Sequence, residues 1–151
     1  MNRKEFVEKL NERVKLIRTE YAFNQEQMAY ILGISKKTLV EIEKGRSSLG
    51  WTGAVAVCTL FSESEILSGI FGGAPTDMII ALAFEENEPR YPKTMGGKVW
   101  WRILEEYDGY KLQQNIVSQH YRILNQENKR MRASFHYEQI QKQFDELRRD
   151  Q

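Results

Sequence analysis

Apolar residues recur at steps of three and four through the N-terminal half of the chain, which predicts a series of amphipathic helices. The predicted helices cover residues 3–21, 25–32, 36–44 and 51–61, and a fifth helix ends near residue 71. Asn2, Asn24 and Ser35 stand where N-caps belong, because their side-chain oxygens can accept from free backbone amides. Gly33 and Gly45 follow the second and third helices and are typical C-terminal stops.

Beyond the fourth helix the pattern is less regular. Ser62 and Glu65 have the spacing of a capping box, which predicts the start of the fifth helix. Residues 78–84 are apolar at every position, so periodicity does not separate helix from strand, and we favour a short buried or interface helix. Residues 85–97 contain two prolines and two glycines and are interpreted as a linker.

The C-terminal third mixes the two periodicities. Trp100, Ile103, Leu104 and Tyr107 fit one face of a helix, with Gly109 as its stop. Three short runs rich in aromatic and branched residues then predict strands, with a hairpin loop between the last two. The strand runs are 110–115, 120–124 and 130–135, the loop is 125–128, and a final helix covers 137–149.

These elements predict two domains of different fold class. Residues 1–73 form a mainly α, five-helix domain, and residues 98–151 form a small α+β domain of order α-β-β-β-α for dimerisation or sensing. Residues 74–97 are the connecting helix and linker.

Charge and cysteine content narrow the setting. The net charge of the 151 residues is +1, but residues 1–50 hold ten Lys and Arg against seven Asp and Glu. A near-neutral total can therefore hide a local basic face. Cys58 is the one cysteine, so no disulfide is expected, and no apolar run approaches the ~20 residues that cross a bilayer. We expect a protein of a reducing cytoplasm with no membrane partner.

The segment with the most chemical information is residues 14–46, VKLIRTEYAFNQEQMAYILGISKKTLVEIEKGR. Ala29 is small enough to let the next helix cross closely, and Gly33 permits a sharp turn. Ser35 caps the third helix, so that its first turn projects outward. This segment resembles the Cro/phage-repressor (XRE-type) helix-turn-helix family. The resemblance is carried by Arg18, Gln25, Met28, Ala29, Gly33, Ile34, Ser35, Leu39, Ile42, Glu43 and Gly45.

The resemblance implies binding of double-stranded operator DNA by a homodimer, with the third helix in the major groove. Lys36 and Lys37 would then touch base edges, Glu41 would face the groove, and Gln25 would hydrogen-bond a phosphate. Lys44 and Arg46 would grip the backbone. Asn24, Ser35 and Thr38 complete the expected DNA-binding set, and Arg18 and Glu43 match a buried structural ion pair of the family. Trp51 and Thr52 depart from the family's usual proline and small residue at this point.

The function expected on this basis is that of a sequence-specific transcriptional regulator, a repressor acting as a homodimer on a palindromic operator. The segment from Gly96 onward is similar to tails on small regulators of this type in Gram-positive bacteria and their mobile elements, without an established activity. The alternative is a bifunctional regulator whose C-terminal domain binds a protein partner or small ligand, as in antitoxins or phage-encoded inhibitors, while the helix-turn-helix serves autoregulation.

Other chemistries find little support in the residues. Cys58 lies in an apolar helix and is interpreted as a packed core residue. Trp100, Trp101 and Tyr107 are also interpreted as core residues and not as a ligand-binding cage. His120 and His136 lack zinc-site spacing, so no metal or cofactor is expected. No catalytic motif is present, and we expect no enzyme. Double-stranded RNA binding by the tail is disfavoured because residues 136–139 hold no lysine cluster.

Overall fold

The computed structural model describes residues 1–87 and 100–150, which fall in two compact units, Met1–Tyr91 and Pro92–Gln151. The predicted linker at 85–97 lies mostly outside the described residues. The first unit is helical: α1 Arg3–Glu20, α2 Gln25–Leu32, α3 Lys36–Glu43, α4 Gly50–Leu60, α5 Glu65–Phe71 and α6 Pro75–Ala83. The second holds β1 Trp101–Tyr107, β2 Tyr110–Asn115, β3 Tyr121–Leu124, β4 Arg130–Ser134 and α7 Tyr137–Arg149.

The predicted caps of the first three helices are confirmed. Asn2 and Asn24 each form a reciprocal capping box, with the side chains of Glu5 and Gln27 respectively. Ser35 accepts from the Thr38 amide at 3.1 Å. Because these bonds satisfy backbone amides that have no partner within the helix, each helix begins where the cap stands.

The start of α5 differs from the prediction. Ser64, not Ser62, is its N-cap, and the Ser64 hydroxyl donates in turn to the Glu20 carboxylate at 2.5 Å. The same carboxylate accepts from the Glu65 amide at 2.8 Å. The cap is therefore completed by a charge from α1, which suits the positive end of a helix.

The core of the helical unit is built on the apolar stripe of α1. Phe6, Leu10, Val14 and Ile17 are fully buried there against side chains of α2 to α5. Residues 78–83 of the apolar run lie in α6, as favoured, with Phe84 as the C-cap, and Leu82 is buried in the same core. The helical unit therefore extends past residue 73, and α6 is part of its core instead of a connecting element.

The second unit is an α+β fold, but its first element is a strand. The predicted helix at 100–107 is wrong: β1 pairs antiparallel with β2, and the sheet order is β1-β2-β3-β4. Gly109 does not stop a helix. Asp108 and Gly109 form the two-residue turn of the β1–β2 hairpin. Their φ angles are +49° for Asp108 and +84° for Gly109, and a type I′ turn requires positive φ at both positions. The order of this unit is thus β-β-β-β-α.

Helix α7 packs on one face of the sheet. Leu112 and Ile123, which are cross-strand neighbours, are buried there against Ile140 and Phe144 of α7. At the edge of this small core, Glu105 accepts from Gln141 at 2.9 Å and pairs with Arg148.

Within the described residues, no single helix has both the length and the apolar character to cross a bilayer; α4 and α5 reach that apolar length only as a pair bent by 120°.

Candidate nucleic-acid interface

Helices α2 and α3 are joined by a short turn that exposes the start of α3. Gly33 has φ +72°, a left-handed conformation that other L-residues adopt at a cost, and the Ile34 amide donates to the Ala29 carbonyl at 3.0 Å. Leu39 and Ile42 turn into the core, which leaves Lys36 and Lys37 exposed on the first turn. The turn and the packing together present two lysines at a helix start.

These two lysines are free to contact a ligand. Lys36 Nζ lies 3.4 Å from a Glu26 oxygen, but both side chains are mostly exposed, and such surface pairs contribute little. Lys37 and the half-buried Glu41 are four residues apart on α3, a spacing that allows an ion pair. Among the described residues Lys37 forms no ion pair, so such a pair does not account for the presence of Lys37 or Glu41. Thr38 is occupied locally, because its hydroxyl lies 2.8 Å from that of Ser35.

A buried carboxylate connects α1, α2 and α3. Arg18 Nε donates to Glu43 Oε1 at 2.7 Å, and Gln25 Nε2 donates to Glu43 Oε2 at 2.7 Å. Arg18 also donates to the Phe23 carbonyl at 3.0 Å, and the Glu43 side chain is only 4% exposed. Sequence reasoning paired Arg18 with Glu43 but missed Gln25. The Gln25 amide is thus held at the start of α2, with one N–H still available.

The loop after α3 is held by a clamp from α1. Asn11 donates to the Ser48 hydroxyl at 3.0 Å and accepts from the Leu49 amide at 2.8 Å. The Ser48 hydroxyl also accepts from the Gly50 amide at 3.0 Å. This clamp takes the place of a side-chain cap on α4, which has none, and sequence reasoning missed it because its members lie 37 and 38 residues apart.

The clamped loop presents positive charge. Lys44 and Arg46 are exposed, and Arg46 lines an open groove of about 700 Å³ with Lys4, Asn11 and Ser47. Gly45, at φ +76°, lets the Arg46 amide reach back to the Glu41 carbonyl at 2.9 Å, so that α3 ends in a Schellman-type turn. Two basic side chains therefore flank the C-terminal end of α3, while Lys36 and Lys37 stand at its start.

Cys58 takes no part in this surface. It is fully buried in α4, and burial raises the pKa of its thiol to about 12. The thiol therefore stays protonated near neutral pH and packs as a small apolar group.

Comparison with known proteins gives no further guide to this surface: no family model, no curated protein and no solved structure matches the chain.

Proposed function

We propose that the chain is a sequence-specific double-stranded DNA-binding regulator, a repressor that acts as a homodimer on a palindromic operator. The observation that carries this proposal is the exposed first turn of α3, where Lys36 and Lys37 project from a helix whose opposite face is anchored in the core. A helix presented in this way fits the major groove, and lysine can donate to guanine O6 and N7.

The surrounding groups suit the same ligand. Gln25 is held by Glu43 at the start of α2. A phosphate at this point would accept a hydrogen bond from the free N–H of the Gln25 amide and would be stabilised by the positive end of the α2 dipole. Lys44 and Arg46 flank the far end of α3 and would contact the backbone. In this proposal Lys36, Lys37 and Glu41 read bases, while Gln25, Lys44 and Arg46 set the position on the duplex.

The decisive experiment starts with selection of bound duplexes from a random pool, followed by affinity measurements on the selected operator. We expect a two-fold symmetric site with half-sites about 34 Å apart. Lys36→Ala combined with Lys37→Ala removes two base contacts worth ~1–3 kcal/mol each, so operator affinity should fall at least about 30-fold.

The matched control removes two exposed lysines from α1, Lys9→Ala with Lys15→Ala, and causes the same loss of charge. We expect this control to retain discrimination between operator and random DNA. Equal losses in the two double variants would reject α3 as the reading helix, and an asymmetric selected site would reject the homodimer on a palindrome.

The alternative assigns the primary activity to the C-terminal unit, which would bind a protein partner or small ligand while the helical unit autoregulates. Capture with a fragment of residues 90–151 separates the two proposals. Recovery of a specific partner favours the alternative. If no partner is recovered, and deletion of residues 90–151 abolishes operator-bound dimers, the C-terminal unit serves only dimerisation.

A further inference from the structure

The sheet of the second unit has one face on α7 and one face turned away from it. Side chains alternate between the faces, and Leu112 with its partner Ile123 marks the α7 side. Gln113 and its cross-strand partner Arg122 therefore point to the other side. Ring contacts place three further side chains with them. We call this set the aromatic–arginine face: Trp101, Gln113, His120, Arg122 and Phe135.

Arg122 is held rigidly on this face. Its guanidinium carbon lies 3.7 Å from the centroid of the Trp101 ring, and its Nε donates to Gln113 Oε1 at 2.8 Å. Gln113 is itself only 8% exposed, so the acceptor is fixed as well. Among the described residues, the two terminal nitrogens of Arg122 have no hydrogen-bond partner. A guanidinium fixed in this way presents a fork of donors that fits phosphate or carboxylate.

A second arginine lies close to Arg122 on this side of the sheet. Burial, and then the positive charge of Arg130, lowers the pKa of Arg122. Arg122 and Leu124 are two residues apart in β3 and point to the same side of the sheet. Arg130 is the cross-strand partner of Leu124, so both guanidinium groups lie on this side. In residues 100–150 neither arginine has an acidic side chain within 4.0 Å. Two neighbouring arginines without a carboxylate predict an anionic ligand.

The rings on this face form a row. Trp101 and His120 have centroids 4.9 Å apart, and His120 and Phe135 have centroids 5.5 Å apart, which extends the row from β1 to the end of β4. Phe135 is 72% exposed. Trp101 and His120 meet at 83° and Arg122 covers the Trp101 ring, so of these three rings only Phe135 offers an exposed ring face. An exposed ring beside two arginines on a sheet face suits a base and the phosphates linked to it.

We propose that the aromatic–arginine face binds single-stranded nucleic acid, with a base stacked on Phe135 and backbone phosphates on Arg122 and Arg130. Aromatic side chains offer sequence-tolerant stacking, and the arginines neutralise phosphates. This ligand differs from the duplex assigned to α3. The site also differs from that of double-stranded RNA-binding domains, which need lysines at the start of the last helix.

The test uses the full chain and fluorescence anisotropy with a labelled 12-mer of thymidine, a labelled 12-mer of uridine and a 12-base-pair duplex. We expect both single strands to bind. Tighter binding of the uridine strand would identify RNA as the source, and tighter binding of the thymidine strand would identify DNA.

Two arginines in β4 provide a matched pair. Arg130 pairs with Leu124 and lies on the same side of the sheet as the aromatic–arginine face, whereas Arg132 pairs with Ile123 and lies on the α7 side. Arg130→Gln should weaken single-strand binding several-fold and reduce the slope of log K against log salt by about 0.7. Arg132→Gln causes the same change of charge and should leave the affinity and the slope unchanged.

Two exposed aromatic side chains provide the second pair. Phe135→Ser should weaken single-strand binding roughly tenfold because a stacked base is lost. Tyr137→Ser changes a 49%-exposed tyrosine that contacts Tyr121 on the α7 side, and should have no effect on binding. Circular dichroism spectra confirm that each variant is folded before binding is measured.

Three outcomes would overturn the proposal. One is equal weakening by Arg130→Gln and Arg132→Gln, and another is duplex binding with the same dependence on Arg130. The third is loss of single-strand binding in the Lys36→Ala, Lys37→Ala variant, since the strand would then bind the helical unit. That variant also keeps the two proposals separate, because it should lose operator DNA and retain the single strand.

Discussion

Glu43 is the residue on which the geometry of the α3 surface depends. Its buried carboxylate accepts from Arg18 on one oxygen and from Gln25 on the other. The pair with Arg18 could be expected, because the family resemblance implies a buried ion pair of these two residues. The resemblance implies a phosphate contact for Gln25 instead, so its hydrogen bond to Glu43 was not predicted.

Removing this carboxylate should be costly. Glu43→Ala leaves Arg18 mostly buried without a counter-charge, so we expect the free energy of unfolding to fall by about 3 kcal/mol. Urea unfolding followed by circular dichroism measures the loss. The control is Glu12→Ala, whose side chain is 70% exposed, and which should change stability by less than about 0.5 kcal/mol. Similar losses in both variants would show that Glu43 has no special structural role.

Cys58 gives a prediction about pH. The folded protein holds its thiol protonated up to a pKa of about 12, whereas the unfolded chain ionises near the ordinary value of 9.0. Thiolate formation therefore favours the unfolded chain, so this contribution to stability is complete below pH 9 and is lost as the pH rises towards 12. Urea unfolding across this range, compared with Cys58→Ala, isolates the contribution.

The same burial predicts the reactivity of the thiol. At pH 8 a disulfide reagent should modify Cys58 slowly in the folded protein and completely in concentrated urea. Rapid stoichiometric modification without urea would contradict the burial of this side chain.

At the scale of elements, β1 shows why one prediction failed. Trp100, Ile103, Leu104 and Tyr107 have helical spacing, yet the segment forms a strand. The pairing with β2 shifts between Ile103 and Glu105, so that Leu104 is an extra residue in a β-bulge. One inserted residue breaks the two-residue alternation, so the apolar positions of this strand no longer show the strand period. The better signal was Asp108-Gly109, a frequent type I′ hairpin turn.

Gly109 gives the matching prediction for this hairpin. At φ +84° an alanine is strained by about 1–2 kcal/mol, and its Cβ would lie 2.6 Å from Gln126 Cγ. Gly109→Ala should therefore lower the thermal stability of the second unit. Gly109→Asn should also lower it, because asparagine tolerates this φ but its Cβ meets Gln126 in the same way.

A helical glycine should respond in the opposite direction. Gly69 lies in α5 with an ordinary φ and open space at its Cβ position, so Gly69→Ala should stabilise the first unit by ~0.5–1 kcal/mol. Thermal unfolding followed by circular dichroism compares the variants. Stabilisation by Gly109→Ala would contradict the hairpin.

Local signals were sufficient for helices whose caps are adjacent in the chain. Asn2, Asn24 and Ser35 each bond an amide three residues on, so their patterns are complete within a few residues. The cap of α5 was misplaced by two residues because Glu20 of α1 takes part in it. Contacts over such separations arise only when the chain has folded.

At the scale of the whole molecule, the proposed regulator uses different residues for base recognition and for phosphate contacts. Lys44 and Arg46 lie beyond the reading turn of α3, and contacts to phosphates carry no direct sequence information. Lys44→Gln or Arg46→Gln should each weaken binding to operator and to random duplex by a similar factor. Each should also reduce the slope of log K against log salt by about 0.9.

Fluorescence anisotropy at several salt concentrations measures these slopes. Lys9→Gln, a change of the same charge on an exposed α1 residue, is the control and should leave the slope unchanged. A change confined to operator affinity, with the same slope, would instead make Lys44 or Arg46 a base-reading residue.

The bulge at Leu104 has a counterpart at the opposite edge of the sheet, where the β3–β4 pairing shifts between Ile123 and Leu124. Both edge strands, β1 and β4, are thus irregular, and an irregular edge is a poor template for a strand of another molecule. These edge strands therefore disfavour edge-to-edge pairing of sheets from separate copies, and so disfavour aggregation. For the proposed dimer on DNA, these edges favour an interface of side chains over a continuous intermolecular sheet.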